Sequence, residues 1–126
     1  MNHVLRVGIV DDHELTRAAL KLALLQDSSL EVIFSATNGN EAIEMVKEHD
    51  PDVVIIDLQM PSLDGLSAST YIKTLNSKTK IIIYSSVEDP QVEVMVQTAP
   101  VDAFCPKNAS TEKLVSLIKE LGKSQD

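Results

Sequence analysis

The chain has 126 residues, of which 44% are apolar, 24% charged and 3% aromatic, which suits one folded domain and excludes a disordered or fibrous chain. Its formal charge of -8 makes it a poor partner for nucleic-acid phosphates or anionic lipid. No stretch approaches the roughly 18 unbroken apolar residues that a membrane span requires.

Cys105 is the one cysteine, so an internal disulfide is excluded and a reducing compartment fits. The opening residues, Met1 to Val7, lack a basic segment followed by a long apolar run and do not form a signal peptide. The expected setting is the cytoplasm.

Short apolar runs alternate with amphipathic ones, the pattern of a βαβ protein. A first strand is expected over Val4 to Val10. Leu15, Ala18, Ala19 and Leu22 then repeat at i, i+3, i+4 and i+7, which predicts a helix with these residues on one face. Leu30 to Ser35 is a weaker strand, placed towards an edge. A helix from about Asn40 to His49 follows, with Asn38 and Glu41 spaced as a capping pair and Asp50-Pro51 as its stop.

The run Val53 to Ile56 and the run Ile81 to Tyr84 are continuously apolar, as central parallel strands covered on both faces should be. Between them, Leu66, Ile72 and Leu75 give a helix after Gly65 only a thin stripe. Val92, Val94 and Val96 alternate with other residues, a period of two, yet parallel neighbours need a crossover and Asp89-Pro90 is a good helix start. A helix is therefore expected over residues 90–98. Val101 to Cys105 forms a last edge strand. The final helix is capped by Ser110, striped by Leu114, Leu117, Ile118 and Leu121, and ended by Gly122. Five strands and five helices in strict alternation predict a single doubly wound parallel α/β sheet, with residues 1–122 as one domain and 123–126 as a frayed tail or linker start.

In such a sheet, ligands collect at the carboxyl ends of the strands. Asp11 and Asp12 follow the first strand, Asp57 ends the third, Ser85-Ser86 ends the fourth and Lys107 stands just past the fifth. Three converging carboxylates repel one another unless a cation joins them. Magnesium suits them, since it takes oxygen ligands from one or two carboxylates and a phosphate. Lys107 and Ser85 would then supply a positive charge and a hydroxyl beside that phosphate, and an aspartate there can become an acyl phosphate. His3, His13 and His49 show no metal-ligand spacing. Cys105 is read as a small buried apolar residue, and Met60 and Met95 as packing.

The motifs Val10-Asp11-Asp12-His13, Asp57-Leu58-Gln59-Met60-Pro61-Ser62-Leu63-Asp64-Gly65, Ile83-Tyr84-Ser85-Ser86 and Phe104-Cys105-Pro106-Lys107 resemble those of the receiver domains of two-component response regulators. The resemblance covers Val4 to about Leu121, and the Asp-Asp-His and Lys-Asn-Ala-Ser wording is similar to the subfamily that often precedes a LuxR-type helix-turn-helix domain. It implies a flavodoxin-like receiver fold in which Asp57 accepts a phosphoryl group from a sensor histidine kinase or phosphotransfer protein. It implies a Mg2+ (or Mn2+) ion held directly by Asp12 and Asp57, through water by Asp11, and by the backbone carbonyl of Gln59. Lys107 would pair with the phosphoryl oxygens, Ser85 would turn towards them, and Phe104 would move inward. Ser86 stands where the family commonly has alanine, Pro100 near a common glycine and Asn108 where many receivers have proline. None of these removes a group the chemistry needs.

The implied protein is a switch rather than an enzyme, with a homodimer favoured by phosphorylation, no membrane contact and no direct nucleic-acid binding by this chain. Transcriptional regulation is expected if a DNA-binding domain follows; the alternative is a stand-alone receiver working through protein contacts. A phosphohydrolase of the haloacid dehalogenase type would need Asp-x-Asp after the first strand, and Asp57-Leu58-Gln59 lacks the second acid. A flavodoxin-like nucleotide binder would need a phosphate cradle where the first loop is acidic and free of glycine.

Overall fold

Apolar runs such as Val53 to Ile56 have no face that can be left in water, and the chain places them mid-sheet. The computed structural model describes residues 4–60, 63–86, 97 and 100–123. Its strands are β1 (Leu5–Val10), β2 (Leu30–Ala36), β3 (Val53–Asp57), β4 (Lys80–Ser85) and β5 (Ala103–Pro106). They form one parallel sheet in the order β2-β1-β3-β4-β5, so the two runs expected at the edges lie there and every residue of β3 is buried. The described helices are α1 (Glu14–Leu25), α2 (Gly39–His49), α3 (Gly65–Leu75) and α4 (Thr111–Lys123). The helix expected over residues 90–98 lies outside the described residues. Among the described residues, no helix is long and apolar enough to cross a membrane.

Alternate strand residues build two cores. Val10, Val54, Ile56, Ile81 and Ile83 pack with α2 and α3 on one face, while Val7, Ile9, Val53, Ile55 and Ile82 pack with α1 and α4 on the other. Chain direction across the sheet reverses beside β1, whose neighbours are β2 and β3, and this opens a crevice at the carboxyl ends of β1 and β3.

Helix ends follow the capping chemistry. The Asn38 side chain accepts from the Glu41 N–H at 2.8 Å, Ser110 Oγ accepts from the Lys113 N–H at 3.2 Å, and Asp50 closes α2 in the left-handed region at φ 49°. Asp102 ties three elements: its carboxylate accepts from the Ile81 N–H at 2.8 Å and pairs with Lys73 of α3 at 2.8 Å.

Three details of the helices go beyond the residue pattern or depart from it. The stripe Leu15, Ala18, Ala19 and Leu22 faces solvent, with Leu15 85% and Leu22 65% exposed, and Leu20 and Leu24 face the sheet instead. A helical period gives spacing but not phase, and α1 carries apolar residues on two sides. Leu75 is 46% exposed, so the thin α3 stripe narrows to Ile72 and the partly buried Leu66, with Ala68 buried beside them. The last helix does not stop at Gly122 but runs to Lys123; Gly122 packs against the tip of the Leu5 side chain, which a Cβ would approach to 2.5 Å.

The register of β1 on β2 also shifts between Val7 and Gly8, so that Val7 pairs with Val32 and Gly8 with Phe34. The extra residue, Ile33, is a bulge that brings Ile33 and Phe34 to the same core. The Phe34 ring then lies across Gly8, where a Cβ would meet it at 2.2 Å. Gly8→Ala should therefore cost about 1–3 kcal/mol, the usual range for overpacking. Urea denaturation checks this; an unchanged midpoint would mean that the ring moves aside freely.

Candidate functional site

The site grows from three strand ends. β1 delivers Asp11, whose backbone N–H donates to the Ala36 carbonyl at 3.1 Å and whose side chain is 1% exposed. The Asp11 Oδ1 atom accepts from the backbone N–H of His13 at 2.8 Å, and Arg17, one turn into α1, donates to the Asp11 carbonyl at 2.8 Å. These bonds fix the loop that carries Asp12. β3 delivers Asp57, buried beside the chain at Gly65. A Cβ on Gly65 would lie 2.3 Å from the Asp57 carbonyl oxygen, so glycine is what lets α3 begin against the site.

β5 delivers Lys107, held by its own N–H donating to the Ser85 carbonyl at 2.8 Å. Its Nζ lies 2.9 Å from Asp11 Oδ2 and 3.6 Å from Asp57 Oδ1. One ligand atom each from Asp11, Asp12, His13 and Asp57 lies within 4.8 Å of the others. The structure thus brings together Asp11, Asp12, Asp57 and Lys107. Ser85 is buried at the end of β4, one residue beyond the Asp57–Tyr84 pair, whereas Ser86 and Gln59 are exposed. Phe104 stands apart from the acids: half-buried, in register with Ile83, it packs on the core beneath α2 and α3.

Residue spacing missed two contributors. Arg17 buttresses the loop, six residues beyond the acid it serves. His13, 64% exposed, points Nδ1 at Asp11 Oδ1 (2.9 Å) and Asp12 Oδ1 (3.1 Å). The only available signal was adjacency, since the Asx-type bond from the His13 N–H folds its side chain back over Asp11.

Burial, and then the charge of Asp11, push the Asp57 carboxyl above its ordinary pKa; Lys107 and the N–H of Gln59 pull the other way without prevailing. Burial lowers the Lys107 ammonium, but its bond to Asp11 and the charges of Asp57 and Asp11 outweigh this and hold its pKa above the usual value. The site therefore carries three carboxylates against one firmly charged ammonium. Three carboxylates gathered in this way fit a divalent cation.

A doubly wound five-stranded sheet with such an acidic carboxyl edge defines the class of α/β signalling receivers. The chain belongs to the response regulator receiver domain family, whose profile matches residues 7–119. Receiver domains of this family generally bind Mg2+ at an acidic pocket. Over 122 residues the chain is 34% identical to a protein-glutamate methylesterase/protein-glutamine glutaminase of Oleidesulfovibrio alaskensis, covering 94% of this chain and 33% of that one. It is 27% identical to a probable transcriptional regulatory protein, NarL, of Mycobacterium tuberculosis, covering 96% of this chain and 56% of the relative. A DNA-binding response regulator of the LuxR family from Staphylococcus aureus superposes with a TM-score of 0.87 at 28% identity, covering 94% of this chain and 99% of that one. The chain thus spans a third to just over half the length of these curated relatives.

An acid whose folded pKa is raised opposes folding above that pKa, and the opposition is relieved as pH falls through it. Asp57→Asn keeps the shape and removes the charge. In chelator at neutral pH it should raise the melting temperature, because the buried charge that opposes folding is gone. The gap from the unsubstituted protein should close on acidification. A lower melting temperature at neutral pH would show that Lys107 more than compensates the Asp57 charge.

Proposed function

We propose that Asp57 is the phosphoryl acceptor of a two-component switch, with a histidine kinase or phosphotransfer protein as donor. The observation that carries this reading is the Lys107 ammonium set between the buried carboxylates of Asp11 and Asp57. An Asp57 oxygen attacks the phosphorus of a phosphohistidine; the P–O bond forms as the P–N bond breaks, and the imidazole leaves with the electron pair. The ammonium meets the charge that gathers on the phosphoryl oxygens. A bound Mg2+ supplies charge neutralisation between the acids and the phosphoryl group. Asp12, Asp57 and the Gln59 carbonyl would hold such an ion directly; both Asp11 oxygens already have partners, His13 and Lys107, so Asp11 would act through water.

Ser85 turns its hydroxyl to the phosphoryl group, and Phe104 follows inward from its half-buried position. Ser86, beyond the strand end, borders the entry. The chain turns over no small substrate of its own, and works in the cytoplasm. A phosphorylation-favoured homodimer and a transcriptional output, in the manner of the LuxR-type regulators it resembles, complete the reading.

A specific surface fits the protein donor. The exposed face of α1 runs from Leu15 through Ala18, Ala19 and Leu22 to Leu25, and begins three residues after Asp12. A partner that brings a phosphohistidine to Asp57 covers that face, and an apolar stripe at helical spacing suits an amphipathic helix.

Two measurements test the reading. Intact-mass analysis with acetyl phosphate and Mg2+ should show one added phosphoryl group, absent from Asp57→Asn; full labelling of that variant would refute the assignment. Leu15→Glu with Leu22→Glu should slow transfer from a cognate protein donor at least ten-fold while acetyl phosphate still labels Asp57. Equal slowing with both donors would place the effect at the site rather than at a docking face.

A further inference from the structure

We infer that Tyr84 is a positioning residue for Lys107: its ring is the floor over which the Lys107 side chain crosses β4 to set its ammonium between Asp11 and Asp57. This rests on the proposed phosphoryl transfer to Asp57 and names a further residue that governs its rate.

The sheet order makes such a floor necessary. β4 lies between β3 and β5, so Lys107 starts two strands away from Asp57, about 10 Å in the hydrogen-bonding direction. Its Nζ nevertheless stands 3.6 Å from Asp57 Oδ1 and 2.9 Å from Asp11 Oδ2. The side chain therefore has to pass over β4. Register decides which residue lies beneath it. Tyr84 pairs with Asp57 on one side and with Cys105 on the other, and in-register neighbours share a face of the sheet. Lys107 follows two residues after Cys105, and its Nζ lies over the Tyr84 ring, 5.8 Å from the centroid.

An aromatic ring suits this place better than an aliphatic side chain of similar volume. A lysine stem crossing through water has many rotamers, and its ammonium is strongly hydrated. The half-buried ring shields one side of the stem and offers a negative π face, within the roughly 6 Å over which a ring attracts an ammonium. The ring is itself placed, since Tyr84 packs against the core that holds Ile82 and Cys105. It works as a ring and not as a counter-ion. Burial, and then the charge of Cys105, pushes its hydroxyl above the usual pKa, so the phenol is protonated at neutral pH.

The test compares the unsubstituted protein with Tyr84→Phe and Tyr84→Leu, and with Tyr84→Met should the leucine variant not fold. In protein carrying 13C-labelled lysine, the ε-methylene protons whose signal is missing from Lys107→Ala should lie upfield of those of exposed lysines. Tyr84→Phe should keep this ring-current shift. Labelling of Asp57 by acetyl phosphate in Mg2+ should slow about three-fold or more when the ring is removed, and Tyr84→Phe should restore the rate. A leucine or methionine variant that labels as fast as the unsubstituted protein overturns the inference. So does equal slowing in the phenylalanine variant, which would place the effect on the hydroxyl. If Asp57 of the unsubstituted protein takes up no phosphoryl group, the underlying reading has failed. The Lys107 signal needs no phosphoryl donor and decides the contact by itself: protons at the position of exposed lysines overturn it.

Discussion

The Lys107 ammonium, carried in just past the edge strand β5, sits between two carboxylates that are themselves nearly out of water. Burying two acids together is costly, because each loses hydration and repels the other. One cation at 2.9 and 3.6 Å offsets part of that cost and fixes where β5 must end. Much of the carboxyl edge is arranged around this contact. The Lys107 N–H is bonded to the Ser85 carbonyl, Arg17 and His13 hold the Asp11 loop, and Gly65 lets α3 close over Asp57.

The compensation is incomplete, and function follows from the remainder. Asp57 stays above its ordinary pKa even with Lys107 beside it. A site with surplus negative charge favours a divalent cation, and a cation so placed in turn favours a phosphoryl group. The apolar sheet beneath, packed on both faces, fixes where the strand ends stand. Lys107 touches the acids with its side chain and the Ser85 carbonyl of β4 with its backbone, the route by which the proposed phosphoryl transfer to Asp57 would reach Ser85. Tyr84 adds to the same link: its ring lies 5.8 Å from the Lys107 Nζ, and burial raises its hydroxyl pKa.

Much of this was legible in the residues. Val53 to Ile56 and Ile81 to Tyr84 marked the inner strands because no face of them could be wet. Asp11, Asp57 and Lys107 marked the edge because strand ends in such a sheet converge. Asn38 and Ser110 marked helix starts through their side-chain oxygens. The orientation of α1 was not legible, since Leu20 and Leu24 compete with Leu15 and Leu22 for the sheet and only tertiary packing decides. The bulge at Ile33 depends on how β2 meets Phe34 and Gly8 across two strands, which local spacing does not encode. The approach of His13 to the acids required the loop geometry itself.

The account stands on Lys107 linking Asp57 to the rest of the edge. Backbone-amide spectra of the unsubstituted protein and of Lys107→Ala, each titrated with Mg2+ and the phosphoryl mimic beryllium trifluoride, test it most directly. In the unsubstituted protein, resonances should move at Asp57, Ser85, Phe104 and Lys107. In Lys107→Ala, the changes should stay near Asp57 and leave Ser85 and Phe104 in place. If Ser85 and Phe104 respond equally in both proteins, the coupling does not run through Lys107 and the account is wrong.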